Sequence, residues 1–114
     1  MAHPLPRIES PAASPEGLHA AAHLASIRQA LRAADMIAGK SSTDLAEPVA
    51  VEQIWPELPP LHRQVFARRS QRVADRALGG LELLMTTPNP VAAERLSDDL
   101  RAGLAEVEAL FRDR

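Results

Sequence analysis

Arginine is the residue type with the clearest chemical pattern in this chain of 114 residues. Arg68, Arg69, Arg72 and Arg76 follow one another in a short stretch. A spacing of four residues places Arg68, Arg72 and Arg76 on one side of a helix. Guanidinium groups bind carboxylates and phosphates through paired hydrogen bonds. We call these four residues the arginine face and predict that it docks an acidic protein partner.

Two other interpretations of the arginine face stay open. In the first, its guanidinium groups pair with acidic segments of the same chain, and each exposed pair contributes only a few tenths of a kcal/mol. In the second, they contact the phosphates of a nucleic acid. The formal net charge of −2 and the aromatic content of 3% weigh against the second interpretation, because nucleic-acid-binding domains are typically basic and single strands stack on aromatic side chains.

The histidines suggest metal binding or phosphotransfer. Glu16, His19 and His23 share one side of a predicted helix, a spacing that can hold a divalent metal. A catalytic zinc site needs three protein ligands, and Ala20 stands where the helical zinc motif has glutamate. His62 opens another predicted helix without the Lys-Gly pair that usually follows a phosphorylated histidine. We predict no metal ligands and keep both chemistries as a third hypothesis.

Catalytic motifs are missing or incomplete. Residues 34–41 fit a relaxed phosphate-binding loop, but they end a predicted helix instead of following a strand. No serine has the flanking glycines of a nucleophile elbow, and cysteine is absent. The carboxylate neighbours Asp98 with Asp99 and Glu106 with Glu108 are predicted on the outer side of a helix as solvated charges. We therefore expect no catalytic residue, no cofactor and no enzymatic activity.

Trp55 is the single tryptophan and lies in a proline-rich segment before the second long helix. In one interpretation it is a buried plug that closes one end of a helical bundle, because tryptophan is highly buried on average. In the other it is an exposed anchor for a partner. Trp55 therefore joins the arginine face among the candidate partner-binding residues.

The first long helix is predicted from Ser14, with Pro15 at its first position, to Gly39, a residue suited to a left-handed helix end. Its apolar stripe has the three- and four-residue spacing of a buried helix face. The stripe consists of Ala20, Leu24, Ile27, Leu31, Ala34 and Ala38. Arg28, Arg32 and Asp35 lie off this stripe.

Two further long helices are predicted. The second runs from Pro59 or Pro60 to about Met85, and Gly79-Gly80 within it indicates a kink or the close approach of another helix. Its predicted apolar face is Phe66, Val73, Ala74, Ala77, Leu78, Leu81, Leu84 and Met85. The third begins after the cap Asn89 and runs to about Arg112. The apolar stripe of the third helix is Leu96, Leu100, Leu104, Val107, Leu110 and Phe111.

These elements predict an all-α protein, a three-helix bundle either without or with a short fourth helix between the first and second main helices. Residues 1–14 are predicted to be a flexible or extended proline-rich tail, and residues 15–114 a single domain. Residues 41–58 are predicted to be largely irregular, with one or two helical turns. Alanine supplies much of the apolar stripes, so we expect a thin core that gains burial from self-association or from a partner.

The predicted function is that of a small cytoplasmic adaptor or regulator that acts through protein–protein interaction. The chain contains no apolar run long enough for a membrane helix, and its first residues do not resemble a signal peptide. A homo-oligomer is expected, and no membrane partner. The alternative is a nucleic-acid-binding regulator that uses the arginine face.

Overall fold

The computed structural model describes residues 15–40 and 47–112. Its helices are α1 (Pro15–Ala38), α2 (Val51–Ile54), α3 (Pro60–Thr86) and α4 (Pro90–Arg112), with a 3-10 turn (Trp55–Glu57) directly after α2. The predicted three-helix bundle with a short helix between its first and second long helices is confirmed, and no strand occurs among the described residues. The predicted cap Ser14 and the proline-rich tail 1–14 lie outside the described residues.

The three long helices pack against one another, and α4 runs antiparallel to both α1 and α3. Along the α3–α4 pair, Phe66 lies against Phe111 with ring centroids 4.3 Å apart, and Leu96 lies beside Gly80. Along the α1–α4 pair, Arg28 meets Glu108 while Asp35 meets Ser97. Since residue numbers rise on one helix as they fall on the other in both pairs, α1 and α3 are parallel.

The core is apolar and rich in alanine, as the helical periodicity predicted. Phe66 and Phe111 are its largest fully buried side chains. Gly80 provides the predicted close approach, because a Cβ at that position would lie 2.7 Å from a methyl carbon of Leu96. The buried apolar residues of the long helices are Ala20, Leu24, Ile27, Ala30, Leu31, Ala34, Phe66, Ala74, Ala77, Leu84, Ala93, Leu96, Leu100, Leu104, Val107 and Phe111.

The prediction for the C-terminal part of α3 is partly wrong. Leu78 and Met85, which were assigned to its apolar face, are 55% and 73% exposed. The core-facing direction of α3 passes through Phe66, Ala77 and Leu84. Leu78 follows Ala77 by one residue and Met85 follows Leu84 by one residue, so each is turned about 100° away from the core along the helix. The predicted face was therefore too wide.

The helix ends obey the local signals in the sequence. Gly39 has φ +78°, a left-handed conformation that favours glycine, and the amide of Lys40 donates to the carbonyl of Asp35 at 2.8 Å. At the start of α4, Oδ1 of Asn89 accepts hydrogen bonds from the amides of Val91 and Ala92 at 2.9 and 3.1 Å. Asn89 is thus the predicted cap.

The segment around α2 closes one end of the bundle. Trp55 is 2% exposed, lies edge-on to Phe66 with ring centroids 5.9 Å apart, and packs so close to Gly17 that a Cβ there would be 3.2 Å from the indole. Arg63 secures the segment by donating to the carbonyls of Leu58 and Pro56 at 3.0 and 3.4 Å. The structure therefore has the buried plug, and its packing leaves no exposed indole for a partner.

Candidate protein-interaction surface

All four members of the arginine face are exposed on α3. This arrangement follows from the helix period, because α3 turns Phe66, Ser70, Ala74 and Ala77 into the core. The four arginines lie between those positions and point to solvent. Helix α3 begins with Pro60 at its first position, with the carbonyl of Pro59 accepting a 3.1 Å hydrogen bond from the amide of Arg63. The arginine face is therefore carried by a regular helix.

No member of the arginine face forms an ion pair with an acidic residue of the described part of the chain. Three acidic residues of α4 contact other cations instead. Lys40 lies 3.4 Å from Glu94 and 3.9 Å from Asp98, and Arg112 lies 3.1 Å from Glu108. The interpretation in which acidic neighbours neutralise the arginine face thus receives no support from these contacts.

The structure also contains a buried polar cluster that sequence reasoning missed. Asp35 on α1 and Ser97 on α4 both have 0% exposure. Oδ1 of Asp35 accepts a hydrogen bond from Oγ of Ser97 at 2.5 Å, and its Oδ2 accepts one from a terminal guanidinium nitrogen of Arg101 at 2.6 Å. We call Asp35, Ser97 and Arg101 the Asp35 cluster. It joins α1 to α4 near the C-terminal end of α1.

A second buried ion pair joins the same two helices nearer the other end of the bundle. Arg28 and Glu108 are 8% and 2% exposed, and a terminal guanidinium nitrogen of Arg28 lies 2.8 Å from Oε2 of Glu108. The guanidinium of Arg112 lies 3.1 Å from Oε1 of the same carboxylate and also donates to the carbonyl of Glu47 at 3.2 Å. The prediction that Glu108 is a solvated charge is therefore wrong.

A signal for these buried polar groups exists in the sequence. Arg28 follows Leu24 by four residues, and Asp35 follows Leu31 by four. On α4, Ser97 follows Ala93 and Glu108 follows Leu104 by the same interval. Residues four apart lie one above the other on a helix, so each polar residue continues a row that begins in the core. Arg28 and Asp35, predicted to lie off the apolar stripe, are in fact on the buried side of α1.

The Asp35 cluster has the contacts of a structural link. Ser97 and Asp35 have no surface that a substrate can reach. His23, the histidine nearest to Asp35 along α1, is 12 residues away, which corresponds to about 18 Å of helix. A serine nucleophile needs an adjacent base within hydrogen-bond reach. Ser97 instead donates to a carboxylate that Arg101 also holds.

The remaining sequence candidates do not come together. His19 and His62 are exposed, and His23 is half-buried. The described residues contain no group of three or more histidine, cysteine, aspartate or glutamate side chains able to hold a metal ion. Within the loop-like motif 34–41, residues 34–38 are helical and Gly39 ends α1, while Ser41 lies outside the described residues.

A shallow cavity of about 740 Å³ lies at the end of the bundle where α4 finishes. Its lining includes Glu47, Pro48, Ile54, Phe111 and Arg112. Glu47 and Arg112 are its titratable groups, and both are exposed to solvent. This cavity therefore lacks the converging, desolvated polar groups of a small-molecule site.

Comparisons with protein-family models, with curated proteins and with solved structures found no significant match for this chain. A search of the described residues for membrane-spanning helices found none of sufficient length and apolar character.

Proposed function

We propose that this protein is a small, non-enzymatic adaptor or regulator of the cytoplasm that binds an acidic segment of another protein through the arginine face. The observation that carries the proposal is the exposure of Arg68, Arg69, Arg72 and Arg76 on one helix, with no ion pair to an acidic residue of the described chain. A partner with carboxylates would supply the missing counter-charges.

Neighbouring members of the arginine face repel one another in the free protein. Arg68 and Arg72 are four residues apart, as are Arg72 and Arg76, and like charges at this spacing destabilise a helix by about 0.2–0.5 kcal/mol per pair. An acidic partner removes this repulsion and accepts paired hydrogen bonds from each planar guanidinium. Arginine is also enriched among the interface residues that contribute most to binding.

The described aromatic residues favour a protein partner over a single-stranded nucleic acid. Trp55, Phe66 and Phe111 are the aromatic residues of the chain, and all three are at most 2% exposed. Base stacking on aromatic side chains supplies much of the affinity of single-strand binding, and no aromatic face is open here. Contact with the phosphates of a duplex remains the alternative function, supported by the same four exposed arginines.

The test uses the full chain as bait for proteins of its source cell. The charge-reversal variant Arg68→Glu/Arg72→Glu is compared with the matched control Arg32→Glu/Arg95→Glu, whose arginines are exposed on α1 and α4. We expect the wild type and the control to retain the same acidic protein, and the variant to lose it. Binding of that protein to the variant with unchanged affinity would contradict the proposal.

A labelled DNA duplex tests the alternative function. Phosphate contacts release counterions, so binding through them weakens steeply and log-linearly with salt concentration. We expect weak duplex binding of equal strength in the wild type and the variant Arg68→Glu/Arg72→Glu. Tight duplex binding that the variant loses would favour the nucleic-acid function.

A further inference from the structure

The arginine face continues into an unusual stretch of α3. Gly79 follows Arg76 by three residues and Arg72 by seven, and Leu83 follows Gly79 by four. These spacings place Gly79 and Leu83 on the same side of the helix as the arginines. Both residues are exposed, and Leu83 is 73% accessible. The surface therefore changes along α3 from mainly basic to mainly apolar, with a glycine at the change and with the exposed carboxylates of Asp75 and Glu82 on either side of that glycine.

Packing within the chain does not explain Gly79. A Cβ added at Gly79 would have no heavy atom within 4 Å, whereas a Cβ at the neighbouring Gly80 would collide with Leu96. Glycine is unfavourable in the interior of a helix because it loses the most conformational freedom on folding. An exposed glycine also permits the backbone of another chain to come close. Gly79 is thus a position on this surface where the backbone of a partner can approach closely.

We infer that the acidic partner of the arginine face is an amphipathic helix, which crosses α3 with its backbone close to Gly79. Its carboxylates would face Arg68, Arg72 and Arg76, and an apolar side chain beyond them would cover Leu83. The positive charge of the arginines favours an acidic partner. The missing side chain at Gly79 favours a partner whose backbone approaches α3 closely. This inference rests on the proposed function, because it names the partner of the same surface.

The length of the surface fits a helical occupant. From Arg68 to Leu83 the helix rises by 15 residues, which corresponds to about 22 Å at 1.5 Å per residue. A partner helix of similar length presents residues i, i+4 and i+7 to one side. The arginines of α3, which repeat every four residues, are thereby matched by carboxylates that repeat every three or four residues on the partner helix. An extended strand places residues of one side about 6.6 Å apart, slightly farther than the roughly 6 Å between arginines four apart on α3, so a helix matches the spacing more closely.

The test is a selection of peptides by the full chain. The probe is a display library with two halves, one of peptides randomised on a stable helix and one of randomised unstructured peptides. We expect enrichment from the helical half, with Asp or Glu repeating every three or four residues and a Leu, Ile or Met one or two turns away. Enrichment confined to the unstructured half, or no enrichment from either half, would overturn the inference.

Variants of α3 then separate this inference from the proposed function. Gly79→Ala raises the denaturation midpoint of the free chain, while Gly79→Leu weakens binding of the selected peptide about tenfold through steric overlap. Gln71→Leu is the matched control, since Gln71 is exposed on α3 and, eight residues before Gly79, is turned about 80° away from it around the helix. If Arg68→Glu/Arg72→Glu abolishes peptide binding and Gly79→Leu leaves it unchanged, the partner helix does not cross α3 at Gly79. The proposed function of the arginine face is then still supported. If the charge reversal has no effect, the proposed function itself fails.

Discussion

Oδ1 of Asp35 on α1 accepts a 2.5 Å hydrogen bond from Oγ of Ser97 on α4, and neither residue has any exposed surface. Arg101 approaches the other carboxylate oxygen at 2.6 Å, and its side chain keeps 24% of its surface in solvent. A buried carboxylate is costly unless charged and hydrogen-bonding groups compensate it. We therefore expect the Asp35 cluster to help fix the alignment of α1 and α4.

Replacing Asp35 should lower the free energy of unfolding more than replacing Ser97. Asp35→Ala leaves Ser97 and Arg101 without the carboxylate, and we expect a loss of about 3–5 kcal/mol in the free energy of unfolding. Ser97→Ala removes one donor, and about 1–3 kcal/mol should be lost. Urea denaturation followed by circular dichroism measures both. The exposed Arg32→Ala is the control, expected within about 0.5 kcal/mol of wild type; an Asp35→Ala protein as stable as this control would refute the role of the cluster.

Glu108 should contribute more to the free energy of unfolding than Arg112, the exposed arginine that it contacts. Glu108 is 2% exposed and holds Arg28, whose side chain is 10% exposed, whereas the side chain of Arg112 is 44% exposed. Glu108→Ala leaves a buried guanidinium without this carboxylate, so we expect a loss of about 3–5 kcal/mol. Arg112→Ala should lose no more than about 1 kcal/mol, since exposed ion pairs contribute little.

Chemical denaturation of Glu108→Ala and Arg112→Ala in parallel checks this order. The double replacement Arg28→Met/Glu108→Leu removes both charges and keeps apolar volume, so it should be more stable than Glu108→Ala alone. An equal or greater loss in the double variant would show that charge compensation is not the reason for the destabilisation.

Asn89 should stabilise α4 through its side-chain oxygen. The oxygen accepts hydrogen bonds from the amides of Val91 and Ala92, so Asn89→Ala should lower the free energy of unfolding by about 1 kcal/mol. Asn89→Asp keeps the acceptor and adds a negative charge at the helix N-terminus, and its stability should equal or exceed that of wild type. Thermal unfolding compares the two variants. Equal losses in both would argue against capping.

The fluorescence of Trp55 should show that its indole is buried at the end of the bundle. Trp55 is the single tryptophan, and tyrosine is absent, so the emission of the chain comes from one buried indole. We expect native emission at short wavelength, with a red shift on unfolding that coincides with the loss of helical circular dichroism. Trp55→Ala should lose about 3–5 kcal/mol because it leaves a large cavity. Native emission that acrylamide quenches as efficiently as free tryptophan would contradict the burial.

Local signals were enough to predict the helices and their ends. Pro60 opens α3, Asn89 caps α4 and Gly39 ends α1. Each signal acts through the backbone of a few neighbouring residues, by a fixed φ, a side-chain acceptor or a left-handed turn. Such effects are visible in a sequence without knowledge of what packs on the helix. The arginine face was predicted for the same reason, since its spacing belongs to one helix.

Contacts between helices could not be predicted in the same way. Whether Asp35 is buried depends on Ser97 and Arg101 of α4, which lie more than sixty residues further along the chain. Whether Met85 is buried depends on which neighbour covers that side of α3. A residue type gives only an average tendency to be buried, and a buried charge becomes acceptable once a partner compensates it.

The amino-acid order alone thus determined that this chain forms three long amphipathic helices, where each begins and ends, and that Arg68, Arg72 and Arg76 share one side of α3. The tertiary structure decided that Arg28, Asp35, Ser97 and Glu108 lie inside, that Trp55 is covered, and that the arginine face has no acidic neighbour within ion-pair distance among the described residues. The physical reason is range. Helix formation follows from interactions between residues up to four apart, whereas burial and charge pairing are set by segments that meet only when the chain has folded.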